Sequence, residues 1–210
     1  MTMCISIPFT MLPAKVHISF GAILLFGVFA LLASADVLLA VAAAVLFHEA
    51  GHAAALRCMG SGIRSVSANC MGLTMYPKKQ LSYTGELLTL LAGPGANLTA
   101  FFLFGMIGKY WQFAYTLSGA QLLLGLFNLL PICGMDGSSI LWILAALLWE
   151  PYTADRITVR VSIFFSAALV AFSGMLVCRS HGGWLLLWTS LGLFLRGASQ
   201  LGLVKRPGKR

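Results

Sequence analysis

The stretch VLLAVAAAVLFHEAGHAAAL, residues 37–56, carries two histidines and one glutamate within an otherwise apolar run. About 20 such residues form a helix that crosses the hydrocarbon core of a bilayer. Residues four apart lie on one helix face, so His48 and His52 can offer imidazole nitrogens to one metal ion, with Glu49 beside them. Ionisable side chains at such depth are costly and usually functional. The stretch therefore predicts a metal site inside a membrane-spanning helix; the alternative is a histidine pair that only forms hydrogen bonds in a helix bundle.

The composition of the chain is that of a protein with several membrane spans. Of its 210 residues, 59% are hydrophobic and 10% are charged, against about 25% charged residues in soluble domains. This length accommodates six spans of about 20 residues in a single domain, residues 1–210. The five cysteines are scattered and odd in number, which argues against a disulfide framework. The net charge of +8 lies mainly in short loops and the tail 205–210, so membrane topology explains it better than nucleic-acid binding does.

Apolar segments predict an all-α membrane protein with six spans, at about residues 18–32, 37–56, 85–107, 114–149, 159–178 and 184–204. The 36 residues of the fourth segment would measure about 54 Å as one straight helix, too long for a single crossing. We predict that this segment breaks at residues 128–137 and faces the second span, because non-helical backbone in a membrane must face protein or a watery cavity. In the third span, Pro94 between two glycines predicts a kinked or loosened helix.

Two further segments have the pattern of strands. Residues 1–17 alternate loosely and contain two prolines, which favours a short strand or an interfacial segment. Residues 63–67 and 72–76 predict a short β-hairpin at the membrane surface between the second and third spans. An exposed edge of this hairpin could hold an extended peptide by strand addition, or the hairpin could simply cover the site.

The basic residues predict the orientation of the spans. With six crossings both termini share one side, and that side receives most of the positive charge: Lys15, the loop 57–83, Arg156, Arg160 and the tail 205–210. The opposite side receives only Lys109 and Arg179. Both termini are therefore predicted to be cytoplasmic. The second and fourth spans then run toward the cytoplasm, which places His52 and Asp136 at similar depth in the cytoplasmic half of the bilayer.

Asp136 is the predicted third ligand. A catalytic zinc usually takes three protein ligands and leaves a fourth position to water. Asp136 lies in the broken intramembrane segment, whereas Asp36 and Asp155 lie at span ends, where solvated or capping carboxylates are expected. A divalent ion between Asp136 and Glu49 would be close to neutral, which lowers the cost of burial. The alternative is a carboxylate in an ordinary loop between two helices.

Three elements, in this order and spacing, resemble the site-2 protease family of intramembrane zinc metalloproteases: the His48–His52 helix, Gly93-Pro94-Gly95-Ala96-Asn97, and Asn128-x-x-Pro131-x-x-x-x-Asp136-Gly137. The compact plan, without a PDZ insertion or a CBS domain, is similar to the bacterial subgroup that includes the sporulation stage IV factor B protease. Many members have a second proline where Gly134 stands, and Asp-Gly-Gly where Asp136-Gly137-Ser138 stands. These departures concern local helix geometry and not the ligands.

The resemblance implies cleavage of a peptide bond in or near a transmembrane segment, commonly to release a membrane-held regulator such as a pro-sigma or anti-sigma factor. It implies one Zn²⁺ per chain, held at the positions of His48, His52 and Asp136, with Glu49 as general base. The implied partners are a membrane-spanning or membrane-associated protein substrate and the lipid bilayer of the cell membrane. Regulatory membrane proteins, a homo-oligomer and a role in sporulation stay open.

The remaining motif residues have less specific roles. Asn97 and Asn128 are candidate hydrogen-bond donors to the substrate backbone or the oxyanion, and the alternative for each is an interhelical hydrogen bond. The other motif positions are interpreted as structural: Gly93, Pro94, Pro131 and Gly137.

Two other classes of function compete with proteolysis. A membrane metal-binding or transport protein would be expected to offer further His, Asp or Glu side chains along a path, and the other predicted spans have almost none. A catalytically inactive, partner-binding relative would not need Glu49 together with a full ligand set.

Overall fold

The structure is a computed structural model that describes residues 4–7, 15–19, 27–31, 33–69, 72–180 and 183–203. The chain divides into two compact units, Met1–Phe127 and Asn128–Arg210. The single domain expected over residues 1–210 stays a prediction.

A four-stranded sheet belongs to the first unit, with the order β1-β2-β3-β4: Cys4–Ile7, Lys15–Ser19, Ile63–Asn69 and Gly72–Pro77. β1 pairs with β2 and β3 with β4 in antiparallel fashion, whereas β2 and β3 are parallel. Val66 of β3 lies opposite Met75 of β4 and opposite Val16 of β2. The hairpin predicted at residues 63–76 is therefore confirmed. The N-terminal strands also join it, a long-range pairing that no local pattern indicated.

The first predicted span begins too early. Residues 15–19 form β2, so a span that starts at Ile18 is wrong for its first two residues. Lys15-Val16-His17-Ile18-Ser19 alternates polar and apolar side chains, which is the period of a strand and not of a helix. Residues 27–31 are helical. Residues 20–26 and 32 of this prediction lie outside the described part of the chain.

Helix α1, Ala35–Cys58, contains the stretch with the two histidines. Ser34 caps it by accepting a hydrogen bond from the Val37 N–H. The negative charge of Asp36 in the first turn and the positive charge of Arg57 in the last turn both interact favourably with the helix dipole. α1 is long and apolar enough to cross a membrane, which agrees with the second predicted span.

Helix α2, Tyr83–Ile107, runs without interruption through Pro94. Ser82 caps it by accepting from the Gly85 N–H. Proline removes a single N–H donor from the ladder, and α2 stays one helix across that point. The helix is not interrupted at Pro94, and the kink predicted there stays a prediction.

Small residues bring α1 and α2 close together. Ala40, Ala44 and Ala100 are buried. A methyl group added at Gly51 would overlap the carbonyl oxygen of Ala92 and lie 2.9 Å from the Ala96 Cβ atom. Helices approach this closely only where side chains are small. The glycine of the His-Glu-x-x-His pattern is thus a packing residue.

The close contact at Gly51 predicts that Gly51→Ala lowers the free energy of unfolding by about 1–3 kcal/mol, the usual cost of overpacking. Thermal unfolding of the purified protein in detergent measures this. Gly119→Ala is the matched control, since no described atom lies within 4 Å of the position its methyl group would take. Equal melting temperatures for the two variants would contradict the close approach.

Helix α3, Phe113–Asn128, follows in the first unit and lies beside α2. The hydroxyl of Ser118 donates to the Phe101 carbonyl at 2.9 Å. Gly125 lies against Asn97, with 3.1 Å between the Asn97 Cβ atom and the position that a Gly125 Cβ atom would take.

The second unit holds three helices: α4, Asp136–Leu148; α5, Pro151–Ser180; and α6, Trp184–Leu203. α5 packs against both α4 and α6. Because α3 ends at Asn128 and α4 begins at Asp136, the break predicted at residues 128–137 is confirmed. Gly134 in this break has φ +102°, a value that proline cannot adopt. A proline at position 134 would therefore require a different backbone conformation there.

Among the described residues, three helices are long and apolar enough to cross a membrane: Ala35–Cys58, Tyr83–Ile107 and Pro151–Arg179. They correspond to the second, third and fifth predicted spans. These three helices agree with the predicted class, a helical membrane protein, and the structure adds a small four-stranded sheet. The count of six crossings and the orientation of the termini stay predictions.

Candidate metal centre

His48 and His52 form a buried pair on one face of α1, with 5% and 9% of their surfaces exposed. Their ring centroids lie 4.7 Å apart and the rings are nearly perpendicular, at 87°. The two Nε2 atoms face each other at 3.1 Å. The spacing of four residues predicted this common face.

The partners of the two Nδ1 atoms determine the tautomers. His52 Nδ1 lies 2.8 Å from the Thr89 carbonyl oxygen, which can only accept, so this nitrogen carries a proton. His48 Nδ1 lies 3.0 Å from Asn97 Oδ1. The Asn97 amide cannot be reversed, because its Nδ2 donates to the Ala44 carbonyl at 3.1 Å. His48 Nδ1 therefore also donates.

These tautomers make the Nε2 pair a good fit to a metal ion. In neutral imidazoles with protonated Nδ1 atoms, both Nε2 atoms present lone pairs, and two lone pairs at 3.1 Å repel each other. A cation between them turns that repulsion into attraction. Two nitrogens at about 2.0–2.1 Å from a tetrahedral zinc lie about 3.3 Å apart, close to the observed separation. The Nε2 separation is therefore compatible with two ligands of one zinc ion.

The facing surface of α2 explains the Gly93–Asn97 element. Thr89, Gly93 and Asn97 are spaced by four residues and lie on one face of α2. A methyl group at Gly93 would overlap the His52 ring, nearest to Nε2. Gly93 thus makes room for His52, while the Thr89 carbonyl and the Asn97 side chain hold the two imidazoles. Pro94 is buried beside them.

In the second unit, Asp136 is the first residue of α4 and is half-buried. A negative charge in the first turn of a helix interacts favourably with the positive end of the helix dipole. A methyl group at Gly137 would overlap the carbonyl oxygens of Leu129 and Leu130, so the preceding loop folds closely over the start of α4. Pro131 is half-buried within this loop.

His48 and His52 each offer an imidazole nitrogen, and Asp136 offers a carboxylate oxygen, as a possible metal ligand. Two imidazoles and one carboxylate match the ligand set of many catalytic zinc sites, which leaves one position open to water. Glu49 follows His48 on α1 and is half-buried, so it is more accessible than either imidazole.

No protein-family model and no curated protein matches the chain. A solved structure does: the site-2 protease from Methanocaldococcus jannaschii, with a TM-score of 0.72 and 21% sequence identity, covers 99% of this chain and 98% of its own. The chain has the site-2 protease fold. At the level of the fold, the resemblance inferred from the three motifs is confirmed.

Within this site-2 protease fold, Asn97 makes hydrogen bonds between helices of the first unit. Its side chain is fully buried, with 0% exposure. Its Nδ2 donates to the Ala44 carbonyl and, at 2.9 Å, to Gln121 Oε1, so both amide hydrogens are used within the first unit. These contacts favour the interhelical alternative. Asn128 is the last residue of α3, and its proposed contact with substrate stays a prediction.

Two residues that take part in the hydrogen bonds of the histidines and Asn97 were not among the predicted site residues. Thr89 contributes its backbone carbonyl, for which no side-chain pattern can give a signal. Gln121 is an amide within the apolar α3 and has 0% exposure. A polar side chain in a predicted span is uncommon and often functional, so Gln121 carried a signal that could have been used.

Proposed function

We propose that the protein is an intramembrane zinc endopeptidase. It hydrolyses a peptide bond in or near a transmembrane segment of a membrane-held regulator of the pro-sigma or anti-sigma type. The observation that carries this proposal is the histidine pair on the apolar helix α1, with both Nδ1 atoms donating and both Nε2 atoms facing each other at 3.1 Å. The site-2 protease fold supports it.

In this proposal the residues divide the chemistry between them. His48, His52 and Asp136 would hold one zinc ion, which would polarise the scissile carbonyl and make a water molecule more acidic. Glu49 takes the proton of the attacking water and passes it to the leaving amine. Its half-buried position next to His48 is compatible with access to both water and substrate.

Charge balance supports placing this chemistry in a membrane protein. An isolated carboxylate in an apolar environment is costly, whereas a divalent cation with two carboxylates is close to neutral. Asp136 and Glu49 provide those two charges. A protein that transports metal would instead need ligands along a path, and no observation on the described residues favours that function.

The metal assignment predicts that the purified wild-type protein retains about one zinc per chain. Asp136→Ala is expected to retain less than about a tenth of that after dialysis against a chelator, because zinc affinity depends on ligand number. Atomic absorption on detergent-purified protein measures both. Asp155→Ala removes a carboxylate that accepts from Trp142 Nε1 at 2.6 Å and should leave zinc unchanged. A zinc-free wild type, or full retention by Asp136→Ala, would contradict the assignment.

The substrate class is tested by co-expression with candidate single-span regulators. Release of the soluble part of a regulator by the wild type, and its absence with a Glu49 variant, would support the proposal. Release that is independent of Glu49 would point to another protease in the host.

A further inference from the structure

Resting on the proposed zinc function, we infer that Gln121 is a positioning residue for the metal centre, acting on His48 through Asn97. His48 Nδ1 donates to Asn97 Oδ1 at 3.0 Å, and Asn97 Nδ2 donates to Gln121 Oε1 at 2.9 Å. Three helices take part, since His48, Asn97 and Gln121 belong to α1, α2 and α3. We call this chain of two hydrogen bonds the amide relay.

The direction of each hydrogen bond in the amide relay is determined by one backbone atom. The Ala44 carbonyl can only accept, so Asn97 must present Nδ2 to it. Asn97 Oδ1 then faces His48, and the second N–H of Asn97 faces Gln121. Gln121 must therefore present its oxygen, because a reversed amide would bring two donors together. The relay leaves His48 with one possible tautomer, the one that exposes Nε2 to a metal.

The nitrogen of the Gln121 amide has an unfavourable environment, which is a cost of this arrangement in folding free energy. Gln121 Nε2 is buried and has no hydrogen-bond acceptor among the described residues. A buried donor without an acceptor destabilises a folded protein. A residue needed only for packing between α2 and α3 would avoid this cost if it were Leu or Met. The acceptor atom Oε1 is therefore the feature that Gln121 contributes.

The amide relay also changes how strongly His48 binds metal. When Asn97 donates to Gln121, its amide is polarised and its Oδ1 becomes a stronger acceptor, since hydrogen bonds in a chain strengthen one another. A stronger acceptor at Nδ1–H increases the electron density that Nε2 offers to a metal. Metal-bound histidines commonly donate their second N–H to such a partner. Here a neutral amide pair takes the place that a carboxylate has in many zinc sites.

The test compares Gln121→Met with Ser118→Ala. Methionine keeps the length and apolar volume of the side chain but removes the acceptor. We expect roughly tenfold weaker zinc binding, at the lower end of the range for outer ligand partners, and an altered absorption spectrum of the Co²⁺-substituted protein. Zinc affinity is measured by competition with a chromophoric chelator on detergent-purified, folded protein. Ser118→Ala removes a buried hydroxyl of the same helix that donates to Phe101, and should lower stability without changing zinc affinity or the Co²⁺ spectrum.

Gln121→Glu is the second variant, because a carboxyl group keeps an acceptor oxygen at the relay. It should bind zinc at least as tightly as the wild type, and weaker binding would overturn the inference even if Gln121→Met does not fold. Wild-type zinc affinity and Co²⁺ spectrum in Gln121→Met would also overturn it, as would an equal loss in Ser118→Ala. Those outcomes leave the proposed zinc function intact, whereas a wild type that takes up neither Zn²⁺ nor Co²⁺ overturns the proposed function itself.

Discussion

Glu49→Gln is expected to abolish peptide-bond hydrolysis while the protein keeps its zinc. The amide has almost the shape of the carboxylate but cannot take a proton from water, and a positioned general base contributes about 10²–10⁴-fold to such reactions. Glu49 is not in the proposed ligand set, so His48, His52 and Asp136 should hold the ion as before. Cleavage of a co-expressed regulator, followed by immunoblot, and zinc content by atomic absorption measure the two properties separately.

Glu86→Gln is the matched control for this substitution. Glu86 is an exposed carboxylate in the first turn of α2, where it interacts favourably with the helix dipole. It should keep both zinc and cleavage. Cleavage at the wild-type rate by Glu49→Gln would rule out the proposed base. A metal transporter would keep its flux in the same variant, so the result also separates the two classes of function.

Gly93→Ala is expected to cause the second-largest loss, in zinc binding as well as in cleavage. The added methyl group would overlap the His52 ring beside Nε2. Either the ring must rotate away from the Thr89 carbonyl, or α2 must move away from α1. Overpacking of this kind costs about 1–3 kcal/mol, which corresponds to zinc binding weaker by about fivefold to 150-fold if the whole cost falls on the bound state. Competition with a chelator on the purified protein measures the change.

Gly95→Ala provides the comparison on the same helix. No described atom lies within 4 Å of the position that its methyl group would take. Alanine is also a better helix former than glycine, so this variant should retain zinc and unfold at the same or a slightly higher temperature. Normal zinc affinity in Gly93→Ala, together with normal affinity in Gly95→Ala, would show that the His52 ring does not need the space beside Gly93.

Local sequence patterns predicted the elements that depend on neighbours in the chain. The common face of His48 and His52 follows from the helical period of 3.6 residues. The hairpin at residues 63–76 follows from its alternation and turn, and the break after Asn128 follows from a segment too long for one crossing. Each of these depends on residues within about one element of one another.

Contacts between distant segments could not be predicted from these patterns. Residues 15–19 have the alternation of a strand, but their partner β3 lies on the other side of α1 in the sequence. The motif left both alternatives for Asn97 open, and its hydrogen bonds to Ala44 and Gln121 depend on how three helices pack.

By itself, the sequence determined that an apolar helix carries two histidines four residues apart with a glutamate after the first. It also determined that an aspartate follows a break in a later segment. Only the tertiary structure decided which nitrogen of each imidazole carries the proton. The reason is that the partners of the Nδ1 atoms, the Asn97 side chain and the Thr89 carbonyl, come from a helix 49 and 37 residues away in the chain. Helical periodicity sets a face, whereas the donor and acceptor roles on that face depend on what packs against it.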